Sequence, residues 1–142
     1  MIENILIAVE NSRDRMVSVI EHAAEIADAL SARVTLFHVY EDGEFEEVLD
    51  LHNLDSGDPS EMAKDNAMVE EAAEILRDAG VPFTVEASTG NPNEEIVAFV
   101  AANEIEHVFL GGRDRSPAGK AILGSVSQTV ILNTDVPCTV VA

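Results

Sequence analysis

Apolar positions along the chain follow two alternating rhythms. Ile5-Leu6-Ile7-Ala8-Val9 is a continuous apolar run too short for a helix, and it stops at Glu10-Asn11-Ser12. From Arg13 to Leu30, Val17, Ile20, Ala24 and Ala27, and beside them Val19, Ala23, Ile26 and Leu30, recur at steps of three and four. That spacing predicts a helix with one buried side. Val34 to Tyr40 is β-branched and aromatic and predicts a second strand. Met62, Val69, Ala72, Leu76 and Ala79 predict a second helix stopped by Gly80. Phe83 to Ala87 is a third strand. Asn91-Pro92-Asn93-Glu94 then opens a helix, with Asn91 as cap, Pro92 at the first helical position and Glu94 at the capping-box position. Ile96, Val97, Val100 and Ala101 form its buried stripe. His107 to Leu110 is a fourth strand, Val126 to Asn133 a last helix, and Cys138 to Val141 a fifth strand.

Strands alternating with helices imply right-handed crossovers and a parallel sheet covered on both faces. The near-continuous apolar strands agree with that. At 142 residues, with no repeat and no linker, the chain reads as a single domain spanning 1–142. The stretch from Glu41 to Ser60 carries eight acids and no base. Phe45, Val48, Leu49 and His52 offer it at most a short helix, and a mobile surface excursion is expected there.

Charge changes the picture most. Asp and Glu total 27 against 8 for Lys and Arg, a net charge of −19. That balance argues against nucleic-acid binding, where affinity comes largely from cations replacing counterions at phosphates. Scarce lysine beside excess carboxylate is the pattern expected of a protein from a halophilic archaeon, because concentrated salt screens self-repulsion. No apolar stretch is long enough to cross a membrane. Met1-Ile2-Glu3-Asn4 lacks the basic and apolar regions of a signal peptide, so a cytoplasmic protein is expected. The lone Cys138 permits no internal disulfide.

Ligands of open parallel sheets bind beyond the carboxyl ends of the strands, near the reversal of strand order. The end of the fourth strand holds the strongest candidate. Gly111, Gly112, Arg113, Asp114, Arg115 and Lys120 lead into Gly124, Ser125, Val126 and Ser127 at a helix start. Glycines admit close approach, free helix-start amides attract phosphate oxygens, and arginine grips phosphate with two parallel bonds. Three of the chain's eight cations fall in this window, whereas residues 1–110 hold 25 acids and 5 bases. Two readings stand: an anion site, or a loop whose arginines pair with the protein's own carboxylates. No Gly-Lys-Ser/Thr occurs, so this is not a Walker A loop.

The arrangement from Ile5 to Val141 resembles the universal stress protein family. Ala8-Val9-Glu10-Asn11-Ser12 matches the family's apolar run followed by Asp-x-Ser, and His38-Val39 its second strand end. Gly90-Asn91-Pro92 and Glu95-Ile96 match the start of its third helix. The nucleotide-binding branch carries Gly, two residues, Gly, nine residues, then Gly-Ser or Gly-Thr. Here Gly111 and Gly124-Ser125 keep the spacing while Asp114 replaces the second glycine. The resemblance implies an adenine nucleotide alpha hydrolase-like fold with a five-stranded parallel sheet ordered 3-2-1-4-5. It implies ATP or AMP, with Mg2+ accompanying ATP. Ala8, Glu10 and Val39 would lie at the adenosine end, with Val9 a candidate between them, and Gly111, Gly124, Ser125, Val126 and Ser127 along the phosphates, where Gly112, Arg113 and Arg115 are candidates on their own chemistry. Glu10 is one methylene longer than the family's Asp. Asp114 sets an anion toward phosphate; two like unit charges about 4 Å apart repel by about 4 kcal/mol at an effective dielectric of about 20. The functions implied are a stress-response or signalling module binding nucleotide, a slow ATPase using the same loop, or a ligand-free interaction dimer.

The uncharged segment Val136–Ala142 ends on a strand, and an open edge invites another chain. With the family's habit of edge pairing, a homodimer through Cys138–Ala142 is expected. His38 and His107 read as packed strand residues, His22 and His52 as surface ones, and none has metal-ligand spacing. No serine has an adjacent base, so nucleophilic catalysis has no support.

Overall fold

The computed structural model describes residues 2–115, 119 and 121–141. In chain order the elements are β1 (Asn4–Ala8), α1 (Arg13–Leu30), β2 (Arg33–Tyr40), α2 (Glu44–Leu51), α3 (Pro59–Ala63) and α4 (Ala67–Asp78). There follow β3 (Phe83–Thr89), α5 (Pro92–Ala102), β4 (His107–Gly111), β5 (Arg113–Arg115), β6 (Ala121–Leu123), α6 (Ser125–Asn133) and β7 (Cys138–Val141). Five strands make one parallel sheet in the order β3-β2-β1-β4-β7, the expected 3-2-1-4-5 arrangement.

Because β1 is central, its side chains meet helices on both faces. Ile5, Ile7 and Val9 pack with Met16, Val19, Ile20 and Ala23 of α1 and with Val69, Ala72 and Leu76 of α4. Leu6 and Ala8 pack on the other face with Ile96 and Val100 of α5 and Val130 of α6. That two-sided burial explains why the strand reads as an unbroken apolar run.

Local chemistry corrects two expectations. The acidic stretch after β2 is not a loose excursion, since Glu44–Leu51 is helical. Its apolar side turns inward: Leu49 is buried, and the Phe45 ring lies 5.2 Å from that of Tyr40. Gly43 supplies the left-handed turn before it, at φ 86°. The single helix expected over Met62–Ala79 is two. Asp58 accepts from the Ser60 N–H at 2.9 Å and starts α3 at Pro59, and Asn66 accepts from Met68 and Val69 N–H at 3.0 and 3.1 Å and starts α4. A good cap in mid-pattern restarts the helix although the apolar period runs on.

The segment after β4 read as a loop, yet Arg113–Arg115 and Ala121–Leu123 form an antiparallel pair, with Arg113 opposite Leu123 and Arg115 opposite Ala121. Strands of three residues are too short for a period-two signal. At the other end of β4, His107 Nε2 lies 2.7 Å from Thr139 Oγ1 on β7. Burial holds its imidazole below the ordinary pKa of 6.5.

Gly112 follows β4, and a Cβ there would overlap Val140 Cγ1 of β7. Gly112→Ala is therefore expected to lower unfolding stability by about 1–3 kcal/mol, the usual effect of overpacking. Adding Val140→Ala should recover most of it in a urea-unfolding cycle; additive losses in the double variant would show that this contact does not require the glycine.

Candidate functional site

The chain leaves β1 into α1 on one face of the sheet, and it reaches β4 from α5 on the other. The carboxyl ends of β1 and β4 therefore part and leave a crevice, the place where open α/β sheets bind ligands. Here the crevice is a cleft of about 210 Å³ lined by Ala8, Val9, Glu10, Asn11, Phe37, His38, Val39, Glu41, Glu44, Pro92, Ile96 and Val126. Five residues assigned to the site by sequence, Ala8, Val9, Glu10, Val39 and Val126, thus come together. Sequence reasoning did not assign Phe37, His38, Glu41, Glu44, Pro92 or Ile96. The His-Val pair pointed at His38, and the capped start of α5 pointed at Pro92, while nothing in the acidic stretch singled out Glu41 and Glu44.

The floor of the cleft is fixed by backbone bonds. Val9 N–H donates to the Phe37 carbonyl at 2.8 Å, and His38 Nδ1–H donates to the Val9 carbonyl at 2.8 Å. A carbonyl only accepts, so Nδ1 carries a proton, and in the neutral form of the ring Nε2 is an acceptor. His38 is 3% exposed, and its Nε2 faces Glu44 Oε1 at 3.8 Å, too far for a hydrogen bond. Both atoms are buried without a hydrogen-bond partner. The Tyr40 ring stands edge-on to His38 at 4.7 Å. Burial, then the charges of Glu44 and Asp65, push the Tyr40 phenol above its ordinary value of 10.0.

Glu10 turns its carboxylate toward α1, with Oε2 3.6 Å from Arg15 Nη1. Three carboxylates, Glu10, Glu41 and Glu44, border the apolar walls formed by Ala8, Phe37, Val39, Ile96 and Val126. Such a site accepts hydrogen bonds from hydroxyl and amino donors and disfavours anionic groups within it. Among the described residues no group of three or more His, Cys, Asp or Glu is arranged to hold a metal ion.

Anion-binding capacity lies at the start of α6. Gly124 is its N-cap and makes no side-chain cap bond, while its own N–H donates to the Gly112 carbonyl at 2.8 Å. Ser125 is exposed, whereas Ser127 is buried and its Oγ points to the Gly111 carbonyl at 3.4 Å. The space a Cβ would take at Gly111 is bounded by Arg15 Cγ at 2.9 Å and Val19 Cγ2 at 3.4 Å. Gly111 and Gly112 thus admit close packing of α1 and β7. Arg113 and Arg115 lie on β5 with Asp114 between them, Asp114 opposite Ile122. Lys120 falls outside the described residues.

An open parallel sheet with a cleft at the reversal of strand order, beside a helix start, defines a doubly wound type of α/β domain. A model of the universal stress protein family matches residues 1–142, and the chain belongs to that family. A universal stress protein from Mycolicibacterium smegmatis is 36% identical over 63 residues. That match covers 44% of this chain and 48%, about half, of the relative's length. The solved universal stress protein from Archaeoglobus fulgidus is 27% identical, with a TM-score of 0.79 and all of both chains covered. A structure of the universal stress protein from Archaeoglobus fulgidus in complex with dAMP shares the fold at 21% identity, with a TM-score of 0.69 and all of both chains covered.

Replacing Glu44 by Gln puts an amide donor within reach of His38 Nε2. Glu44→Gln is expected to raise stability by about 0.5–1.5 kcal/mol, the net value of one hydrogen bond. Chemical denaturation at neutral pH measures it, and a loss of stability would contradict the acceptor-to-acceptor arrangement.

Proposed function

We propose that this protein is a stress-response module that takes the adenosine part of an adenine nucleotide in the cleft at the end of β1. The observation carrying this reading is the cleft itself, whose apolar walls Ala8, Val39, Ile96 and Val126 are ringed by acceptor groups. Its volume of about 210 Å³ is below the roughly 300 Å³ at which pockets for drug-sized ligands begin. A base with its ribose is a better match than a whole triphosphate. Acceptors suit donors: the exocyclic amine and the ribose hydroxyls meet Glu10, Glu44 and the His38 Nε2. The phosphate then lies outside the carboxylate ring, toward the amides of Ser125, Val126 and Ser127 that follow Gly124, with Gly111, Gly112, Arg113 and Arg115 beside it. The dAMP complex of the Archaeoglobus fulgidus protein supports a monophosphate as ligand.

Calorimetric titration with AMP, dAMP and ATP, with and without Mg2+, tests this. AMP is expected to bind, and Val126→Phe, which fills the cleft, should weaken it by at least about tenfold. Absence of heat from every nucleotide would overturn the reading, and phosphate release from ATP would favour a slow ATPase instead.

Homodimerisation is the second part of the proposal. β7 is an edge of the sheet and carries no charge. On β6 and α6, which precede β7 in the chain, Ile122, Leu123, Ile131 and Leu132 are exposed, with Leu132 at 79%. An open uncharged edge together with exposed large apolar side chains favours a twofold contact. The −19 charge fits work in concentrated salt, where screening lets two such chains approach. Light scattering over a KCl series is expected to give a dimer that persists to the highest salt, and Val140→Lys a monomer. A monomer at every salt concentration, or a dimer indifferent to Val140→Lys, would contradict it.

A further inference from the structure

A second hollow shares no lining residue with the cleft at the end of β1. It is a groove of about 1040 Å³ along the outer edge of β3, walled by α3 and α4. The hydrogen-bond register fixes which backbone groups face it. Val34 N–H donates to the Pro82 carbonyl at one end of the β2–β3 ladder, and Gly90 N–H donates to the Tyr40 carbonyl at the other. Alternation then turns the even-numbered residues of β3 toward β2 and presents the N–H and C=O groups of Phe83, Val85 and Ala87 outward. Of these three, among the described residues, Ala87 has a hydrogen-bond partner on that side. Its N–H donates to Ser60 Oγ at 2.9 Å, and the Ser60 hydroxyl proton lies within reach of the Ala87 carbonyl (3.4 Å) and Glu86 Oε2 (3.2 Å). The Ser60 hydroxyl acts as a one-residue strand and closes that end. Phe83 and Val85 remain with two donors and two acceptors and no strand beside them.

The groove's charge distinguishes between occupants. Lys64 is taken by Glu61 at 2.9 Å, Glu71 by Arg13 at 2.7 Å, and the Arg77 guanidinium sits 5.3 Å above the Phe83 ring. Glu70 and Glu74, both exposed on α4, make no ion pair. Glu86 lies on the far side of the edge, and Val69 and Ala73 give the α4 wall an apolar base. A second copy of this chain would bring the same carboxylates to the same edge, so like charge closes it to self-association. An extended segment of opposite charge meets no such barrier. We propose that the outer edge of β3 binds a basic extended segment of a partner protein by strand addition, with Phe83 and Val85 supplying the ladder and Glu70, Glu74 and Glu86 the charge. This surface lies at the opposite end of the sheet from β7 and does not depend on the nucleotide reading.

The test uses the full-length protein at the lowest salt that keeps it folded by circular dichroism. The probe is a seven-residue peptide of alternating Lys and Val, compared with the same peptide N-methylated on alternate residues. Hydrogen exchange at the Phe83 and Val85 amides is expected to slow by at least about tenfold on binding, and N-methylation to weaken binding by a similar factor. Glu70→Lys with Glu74→Lys should weaken the peptide at least about fivefold while leaving AMP titration unchanged. Val85→Pro, which removes a donor, should abolish peptide binding; if it fails to fold, the methylated peptide and the charge reversal decide. Equal affinity for the methylated peptide, unaltered exchange at Phe83 and Val85, or self-association through β3 would each overturn the proposal.

Discussion

The structure depends on one constraint: β1 sits in the middle of a parallel sheet and has no solvated face. Ile5, Leu6 and Ile7 are all 1% exposed or less. Helices must therefore cover both sides: the chain runs from β1 out to β2 and β3 with α1 and α4 on one face, then returns to β4 with α5 on the other. The parting of β1 and β4 follows from that division. A cleft at their carboxyl ends is a consequence of covering the central strand, and the candidate site residues occupy a place the core had already made.

The same constraint sets the cleft's chemistry. Val9, the residue after β1 and beyond its ladder with β2, still has a carbonyl to satisfy, and His38 supplies the donor from inside the protein. Using Nδ1 for that bond turns Nε2 toward Glu44, where the neutral ring offers an acceptor. A structural bond thus produces a polar wall that welcomes donors. The start of α6 is separated from it, so under the proposed reading the neutral and anionic ends of a nucleotide would meet different surroundings. The net charge of −19 has the same unevenness on a larger scale: carboxylates dominate, and the two ends of the sheet differ in what they repel. At β7 the edge is uncharged and apolar, whereas at β3 it is lined by acids.

Much of this was legible in the sequence. Strands buried on both faces are continuous apolar runs, so β1, β2 and β4 stood out, and α1 declared itself through steps of three and four over 18 residues. The break between α3 and α4 was hidden because Asn66 restarts a helix without interrupting its apolar period. Helix α2 was obscured by charge: acids crowd its solvent face, and only Phe45, Val48 and Leu49 mark the other. Of the site, Glu10 and Val39 were readable from their place at strand ends, and Ala8 from the family resemblance. Glu41 and Glu44 were not, since their place at the cleft depends on how α2 folds back over β2. Gly112 carried a signal that pointed two ways, because a glycine that admits a ligand and one that admits Val140 are identical in sequence.

Under the proposed function, ligand binds in the crevice made by the parting of β1 and β4. Chemical-shift mapping of isotope-labelled protein with AMP tests it most directly. The largest shifts are predicted at the amides of Ala8, Val39 and Val126, with the Ser125 and Ser127 amides responding to the phosphate. Binding that leaves Ala8, Val39 and Val126 unmoved while shifting residues elsewhere on the sheet would contradict it.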